Sequence, residues 1–392
     1  MKSFIVLVFL SLSHCLMAGE WTLIDGVLTS SDGKWSFSSA SISGTTLAIG
    51  SCTKWADDGI LDFRSAVVND KSISLIKFAD KNITWGSIPI VDFYCDKIDK
   101  INASLFSGNT SLKRFYAPSM NNRSMPANAF FNCTSLTNAY FGGPITSIAI
   151  DCFSGCANLE ANAEEFISPN ISSLATRAFK GCKKLCGKLV LKNINGFSSA
   201  GDCFNGSGLE EVVIQSENDL FSKFSTSSFG ACTSLTNVTI KSTKLVAIPK
   251  LAIFNECTSI MKVTLDIPNV SSSDAGNAST RMFNGCKAIS EVRLVNKPWK
   301  NSEGNSIVTD VIEKHILYSV PAVGHTTDAP KKCTIYAKRK DYAPFADALA
   351  SAYEKNNAPK RCYGVFVTTE GQRKAYMAQP PDYFQGMSIS VQ

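Results

Sequence analysis

A repeated pattern of residues constrains the fold of this chain more than any other feature of its sequence. Each copy has a phenylalanine, two variable residues, a cysteine, two more variable residues and a leucine or isoleucine, and a short segment of the form Leu-x-x-Val-x-Leu follows. Two copies are altered: one carries Asn109 in place of the cysteine, and one, at residues 204–209, is a residue shorter. The complete copies lie at residues 130–136, 153–159, 179–185, 229–235, 254–260 and 283–289, and the copy with Asn109 at 106–112.

The spacing of these copies predicts how they are arranged. Successive phenylalanines lie 24, 23, 26, 25, 25, 25 and 29 residues apart, which is the length of one coil of a solenoid. Side chains alternate in direction along each strand, so the last apolar pair faces inward and the residues beside it face outward. A coil with one apolar side cannot bury that side alone, so neighbouring coils stack. The sequence therefore predicts eight coils whose strands form one parallel sheet.

The unit resembles the BspA-like class of leucine-rich repeats, whose coils carry the core Ala-Phe-x-x-Cys-x-x-Leu ahead of the strand. The resemblance covers about residues 95 to 295. It implies a curved, right-handed leucine-rich-repeat solenoid of the β/α type, with a parallel sheet on the concave face and a largely irregular or short-helical convex side. It also implies an exported or surface protein. Some members of the class bind host or matrix proteins. Such a scaffold hosts many binding roles, so the fold alone does not name a ligand.

The flanking segments differ from the repeats in pattern. The N-terminus has the charge, apolar run and small residues of a secretory signal, cleaved near Ala18, which predicts a secreted or cell-surface protein. An open solenoid needs a cap at each end, and both flanks are interpreted as caps. The predicted segments are a signal peptide at 1–18, a β-rich N-terminal cap at 19–90, the repeat array at 91–296, a linker or degenerate repeat at 297–331, a strand-helix-hairpin (α+β) C-terminal cap at 332–378 and a disordered tail at 379–392.

The cysteines of the repeats occupy one column, which also accepts Asn109 and Ser207. Such a column favours buried free thiols, because stacked identical positions keep their Cβ vectors parallel and disfavour disulfides. Cross-links between neighbouring coils are the alternative. Outside the column, Cys333 with Cys362 is a candidate disulfide, and Cys52 with Cys95 a second. The predicted cysteine ladder consists of Cys133, Cys156, Cys182, Cys232, Cys257 and Cys286.

Nothing in the sequence indicates catalysis. After removal of the signal the only histidines are His315 and His325. Neither lies beside a nucleophile or a metal-ligand motif. We therefore expect no enzymatic activity, no cofactor and no metal site. The repeats are nearly neutral, which argues against a nucleic-acid partner. No segment after the signal reaches the roughly 18 consecutive apolar residues of a membrane span.

The outward-facing strand residues are the predicted binding surface. Tyrosine and arginine are frequent in binding hot spots, so the early strands with Arg114, Tyr116 and Tyr140 are the favoured position. The predicted surface comprises Arg114, Tyr116, Asn138, Tyr140, Glu211, Lys262 and Arg293. An extracellular protein, of the matrix or of a host surface, is the expected partner; the other interpretation is that these residues only decorate a solvated sheet.

Two further functions stay open at the level of sequence. Four tryptophans precede the repeats, at positions 21, 35, 55 and 85. An exposed row of them would stack on sugar rings and bind a glycan, whereas buried tryptophans would fill the core of a small β-rich cap. A passive surface component without a ligand is the third function.

Overall fold

In a computed structural model of the chain, parallel coils stack into a solenoid of the leucine-rich-repeat type, with about eight turns and little helix. The structure describes residues 19–98, 100–192, 201–216, 224–243, 246–247, 251–268, 270–272, 282–295, 333–337 and 364–367. No helix in these ranges is both long and apolar enough to cross a membrane.

Residues 19–78 form ten short strands. They are β1 (Glu20–Ile24), β2 (Val27–Ser30), β3 (Ser36–Phe37), β4 (Ser41–Ser43), β5 (Thr46–Ile49), β6 (Cys52–Lys54), β7 (Ile60–Asp62), β8 (Val67–Val68), β9 (Lys71–Ser72) and β10 (Leu75–Phe78). One sheet has the strand order β6-β3-β2-β1-β8-β9 and a second the order β10-β5-β4. The pairs β1 with β8 and β5 with β10 are parallel, whereas the hairpin pairs are antiparallel.

The remaining elements belong to the coils. They are β11 (Asp92–Tyr94), β12 (Arg114–Tyr116), β13 (Ser124–Met125), β14 (Asn138–Tyr140), β15 (Ser147–Ile148), β16 (Ala161–Asn162), α1 (Ala163–Phe166), β17 (Leu185–Lys192), β18 (Gly208–Ser216), β19 (Asn237–Ser242), β20 (Val246–Ala247), β21 (Lys262–Asp266), β22 (Val270–Ser272), β23 (Glu291–Leu294), β24 (Cys333–Ala337) and β25 (Gly364–Val367). Two-stranded sheets pair β13 with β15 and β20 with β22.

The main parallel sheet is divided into two parts. The first has the order β14-β12-β11-β7, and the second runs β16-β17-β18-β19-β21-β23-β24-β25. Strand β7 therefore joins the repeat sheet although it lies within the segment expected to be the N-terminal cap. Likewise β24 and β25, from the segment expected to be the C-terminal cap, continue the sheet in parallel beyond β23. The helix and hairpin expected after β24 lie outside the described residues, apart from β25.

Phenylalanine side chains form the centre of the solenoid. The eight repeat phenylalanines stack coil upon coil, with ring centroids 5.0 to 5.7 Å apart and interplanar angles of 2° to 14°. The inward strand residues, such as Val212 and Ile214, are fully buried beside this stack. The pattern of one buried and one outward residue along β21 and β23 agrees with the predicted alternation. Burial of large apolar rings in a continuous ladder is what couples each coil to the next.

One coil departs from the prediction. By the predicted alternation, Ala161 and Ala163 take the outward positions of this coil, as Asn138 and Tyr140 do in the coil before it, but both alanines are buried, and Ala163 begins the short helix α1. The cause is local: the Asn162 side chain accepts the backbone N–H of Glu164 at 3.0 Å, which caps a helix instead of continuing a strand. Phe166, at the end of α1, packs with its ring centroid 5.7 Å from that of Phe153. The outward rows of the sheet are therefore interrupted here.

A glycine lies at a bulge between the strands of the next two coils. Gly187 has a φ of +77°, and the register between β17 and β18 shifts between Gly187 and Lys188. Gly187 pairs with Leu209 and Lys188 with Glu211, so β18 holds one extra residue at the bulge, and a glycine adopts the left-handed conformation beside it without strain. After the bulge, Lys188 is paired with Glu211 and the outward rows resume.

Candidate functional site

Three tyrosines stand side by side on the first part of the sheet. The parallel register pairs Tyr94 with Tyr116 and Tyr116 with Tyr140. The residues before them in the strands face the core: Phe93 and Phe115 are buried, and Ala139 packs against the core. Because direction alternates along a strand, the tyrosines face outward. We call Tyr94, Tyr116 and Tyr140 the tyrosine row.

The rings of the tyrosine row pack against one another, stacked in one pair and tilted in the other. The centroids of Tyr116 and Tyr140 are 5.5 Å apart at an interplanar angle of 21°, and those of Tyr94 and Tyr116 are 6.3 Å apart at 58°. The Arg64 guanidinium lies over the Tyr94 ring, 4.5 Å from its centroid, and caps that end of the row. At the other end Tyr140 is 43% exposed. The row is thus held rigid from one side and open to a partner at the other.

Two arginine–aspartate pairs flank the tyrosine row. Arg114 donates to Asp92 through Nε, 2.7 Å from Oδ1, and through Nη2 to Oδ2. Arg64 donates to Asp62 through Nε at 3.0 Å and through Nη2 at 2.5 Å. The hydrogen bonds that both guanidinium groups donate to these carboxylates raise the pKa of Arg64 and of Arg114, so both arginines stay charged. Burial raises the pKa of Tyr94, which keeps its hydroxyl protonated at neutral pH.

The structure divides the predicted surface residues into two groups. Arg114, Tyr116, Asn138 and Tyr140 lie together on β12 and β14. The others lie on the second part of the sheet and are engaged in ion pairs, which are Lys188–Glu211, Lys262–Glu291 and Arg293–Glu291. Burial acts to raise the pKa of Glu291, but hydrogen bonds from Arg293 and Lys262 outweigh it and hold that pKa below its ordinary value. This second group is a row of alternating charges with no aromatic cluster among its described residues.

Four residues beside the first group were not predicted from the sequence, namely Tyr94, Arg64, Asp92 and Asp62. Tyr94 occupies the same strand position as Tyr116, but the coil that carries it has Trp85 where later coils have phenylalanine. Like the repeat phenylalanines, Trp85 packs against the next ring of the core, with its centroid 5.9 Å from that of Phe106. This coil also has Ile88 in the cysteine column and Val91 in the leucine column, so it departs from the repeat at all three positions.

The cysteine column has a chemical role beyond its small size. Each thiol of the ladder donates to the backbone carbonyl of the phenylalanine one coil earlier. The distances from Sγ to oxygen are 3.1 Å (Cys133 to Phe106), 3.0 Å (Cys156 to Phe130), 3.1 Å (Cys182 to Phe153), 3.1 Å (Cys232 to Phe204), 2.8 Å (Cys257 to Phe229) and 3.0 Å (Cys286 to Phe254). Asn109 does the same through Nδ2, 3.2 Å from the carbonyl of Trp85. In these seven coils the column therefore supplies a buried hydrogen-bond donor, whereas the Ser207 hydroxyl of the shorter copy lies 3.3 Å from the Cys232 thiol.

The candidate disulfides have different outcomes. Cys52 and Cys95 are both free, so the pairing suggested between them is wrong; the Cys52 thiol donates instead to the Lys54 carbonyl at 3.2 Å. Cys362 and the side chain of Cys333 lie outside the described residues. The six ladder cysteines are free and buried, whereas Cys186 is free and exposed.

This difference in burial predicts a difference in thiol reactivity. Burial raises the pKa of Cys133 to about 12, and a thiol that stays protonated and covered does not react. We expect iodoacetamide at pH 8, followed by peptide mapping, to label Cys186 in the folded protein and Cys133 only after unfolding in urea. Raising the pH to 10 remains below that pKa, so it is not expected to label Cys133. Equal labelling of the two in the folded state would contradict the buried ladder.

The tryptophans do not form an exposed row. Trp21, Trp35 and Trp85 are buried, and only Trp55 of the four is exposed. The first three pack on core phenylalanines, for example Trp21 on Phe63 with centroids 4.6 Å apart. Among the described residues no group of histidine, cysteine, aspartate or glutamate side chains is placed to hold a metal ion.

Comparison with known proteins identifies a repeat family. The model of the BspA type leucine-rich repeat region matches in six copies, over residues 71–186 and 198–305, which together make up more than half of the chain. A crystal structure of a leucine-rich repeat protein from Bacteroides ovatus ATCC 8483 is similar over 88% of this chain and 99% of that chain, at 13% identity and a TM-score of 0.28. Among curated proteins, none matches.

Proposed function

Since this chain belongs to the BspA-type leucine-rich repeat family, a repeat scaffold of non-enzymatic type, we propose that it binds an extracellular protein through the tyrosine row of its concave sheet. The observation that carries this proposal is the row of three adjacent outward tyrosines, with Arg64 over the Tyr94 ring and Tyr140 exposed at the other end. Tyrosine and arginine dominate binding hot spots because they offer large contact areas with polar ends.

The geometry of the rings favours a protein partner over a sugar. A sugar ring stacks on the face of an aromatic ring, but Arg64 lies over one face of Tyr94, and the faces of Tyr116 and Tyr140 stack on each other. A tyrosine side chain combines an apolar ring with a hydroxyl group, which suits the mixed apolar and hydrogen-bonding contacts of a protein surface. The burial of three of the four N-terminal tryptophans removes the other candidate sugar platform.

The preformed stack also supports binding on energetic grounds. Ordering a flexible side chain at an interface costs about 0.5–1.5 kcal/mol, and that cost is smaller when the side chain is already held in place. Neighbouring rings and Arg64 already restrict Tyr94 and Tyr116. The proposal includes export, since BspA-type repeats are typical of extracellular and surface proteins and residues 1–18 have the pattern of a signal peptide. Adhesion of a cell to its surroundings would follow from such binding at a cell surface.

Changing the tyrosines tests this function. We expect the purified chain to show saturable binding in a screen of extracellular matrix proteins. Tyr116→Ser with Tyr140→Ser should weaken that binding at least tenfold, because loss of two hot-spot residues typically costs about 2 kcal/mol or more. Met261→Ser is the matched control, since Met261 is also a large, half-exposed apolar side chain but lies outside the tyrosine row. Equal weakening by the control, or binding unaffected by the tyrosine changes, would refute the role of the row.

A further inference from the structure

The two arginine–aspartate pairs beside the tyrosine row are unequal in exposure. In the first pair the Arg114 side chain is 38% exposed and that of Asp92 only 3%. In the second the Arg64 side chain is 45% exposed and that of Asp62 20%. Each aspartate is thus largely covered while its arginine reaches the surface. Although each pair is neutral in sum, the surface that a partner meets is cationic at both positions.

The hydrogen bonds fix which part of each guanidinium is presented. Both arginines use Nε and Nη2 for their aspartates, so the N–H groups on Nη1 lie outside these pairs. A guanidinium has five N–H donors and binds carboxylates in a planar, two-pronged manner. Held by a covered aspartate, such a group is oriented before a partner arrives, which lowers the entropic cost of binding.

The positions of the two guanidiniums relate them to the tyrosines. Arg64 covers the ring of Tyr94, and Arg114 begins the strand that Tyr116 ends. One further carboxylate lies close by, that of Asp96, and its Oδ1 accepts the backbone N–H of Ser65 at 3.2 Å. The surface therefore combines the tyrosine row with two oriented cations and the carboxylate of Asp96, which is engaged with the Ser65 backbone.

We propose that the partner presents an acidic protein segment, whose carboxylates bind Arg64 and Arg114 while its apolar side chains contact the tyrosine row. This inference rests on the proposed function and specifies the chemistry of its partner. Charge-assisted hydrogen bonds from arginine to carboxylate are stronger than neutral ones and are directional. They select acidic sequences from the many proteins that an aromatic surface alone would accept.

A labelled poly-L-glutamate peptide is the probe, with poly-L-lysine and heparin as comparisons, measured by fluorescence anisotropy. We expect polyglutamate to bind, more weakly as salt rises, and poly-L-lysine not to bind. Arg64→Gln should weaken binding about tenfold. Because Arg114→Gln alone would leave Asp92 as a buried unpaired carboxylate, it is combined with Asp92→Asn, and the same loss is expected.

The chain offers a matched control for the double variant. Arg177 forms an equivalent pair with Asp151, with side chains 41% and 11% exposed and Nη2 2.6 Å from Oδ2, but it is remote in sequence from β11 and β12. Asp151→Asn with Arg177→Gln should leave polyglutamate binding unchanged. Absence of polyglutamate binding, tighter binding of heparin, or equal weakening by the control pair would each overturn the inference.

The two proposals fail in different ways. If a matrix protein binds and the tyrosine variant loses it, while Arg64→Gln and the Asp92→Asn, Arg114→Gln pair bind normally, the function stands and the acidic partner is wrong. If the tyrosine variant retains binding while the arginine variants lose it, the tyrosine row is not the contact surface. As a control for folding, the circular dichroism spectrum and the urea midpoint of each variant are compared with those of the natural chain.

Discussion

Replacing Phe179 with alanine is expected to lower the free energy of unfolding by about 3–5 kcal/mol, the usual cost of removing a buried aromatic ring. Phe179 is fully buried and stacks between Phe153 and Phe204, with centroids 5.4 Å away on each side. Alanine would leave a cavity in the centre of the ladder and separate the coils on either side. The midpoint of urea denaturation, followed by circular dichroism, measures the effect.

Leucine at the same position is the control. Phe179→Leu keeps most of the apolar volume and should cost less than half as much as alanine, because large cavities dominate such losses. The contacts between coils also predict where the loss of stability is felt. Since each coil is stabilised mainly by its neighbours, Phe179→Ala should destabilise the coils next to it more than those at the ends. A loss below about 1 kcal/mol for alanine would show that the ring does not carry the packing described here.

Asn109→Leu is expected to lower the free energy of unfolding by about 3 kcal/mol, although leucine is apolar and similar in size. The Asn109 side chain is buried and makes four hydrogen bonds to the backbone. Nδ2 donates to the carbonyls of Trp85 and Ile88, and Oδ1 accepts the N–H groups of Ser111 and Leu112. Leucine removes all four bonds and leaves buried polar groups without those partners, which is the costly case.

A cysteine at position 109 shows whether the hydrogen bonds of this side chain or its size stabilise the coil. Asn109→Cys restores the residue type of the later coils and keeps one donor for the Trp85 carbonyl, so we expect a loss intermediate between the natural chain and Asn109→Leu. Chemical denaturation of the three proteins in reducing buffer gives the comparison. If the leucine variant is as stable as the cysteine variant, the hydrogen bonds of this column contribute nothing and only its small size matters.

Much of the fold follows from residues near one another in sequence. The period of the phenylalanines and the alternation in segments such as Leu235–Ile240 are local features, and they are sufficient to predict stacked coils and a parallel sheet. The strand Cys333–Ala337 was predicted in the same way and is present as β24. The outward direction of Tyr116 and Tyr140 also follows from alternation alone.

The site was predicted only in part, because its remaining members come from an unrecognised coil. Tyr94 stands beside Tyr116 through strand register, and Arg64 reaches Tyr94 across about 30 residues of chain. Nothing in the local pattern of either segment indicates that contact. The same holds for Asn109, whose donor role depends on the carbonyls of Trp85 and Ile88 in the coil before it.

By itself the sequence determined the architecture: a repeat with one apolar side has few ways to bury that side other than stacking on its own copies. Only the tertiary structure decided which outward residues meet, that three tyrosines and two oriented arginines share one surface, and that the sheet is interrupted at α1. The physical reason is that the pattern of buried residues repeats along the sequence, whereas contacts between neighbouring coils depend on strand register, bulges and helix caps. One asparagine cap at Asn162 interrupts rows of outward residues that the repeat alone would have continued without a break.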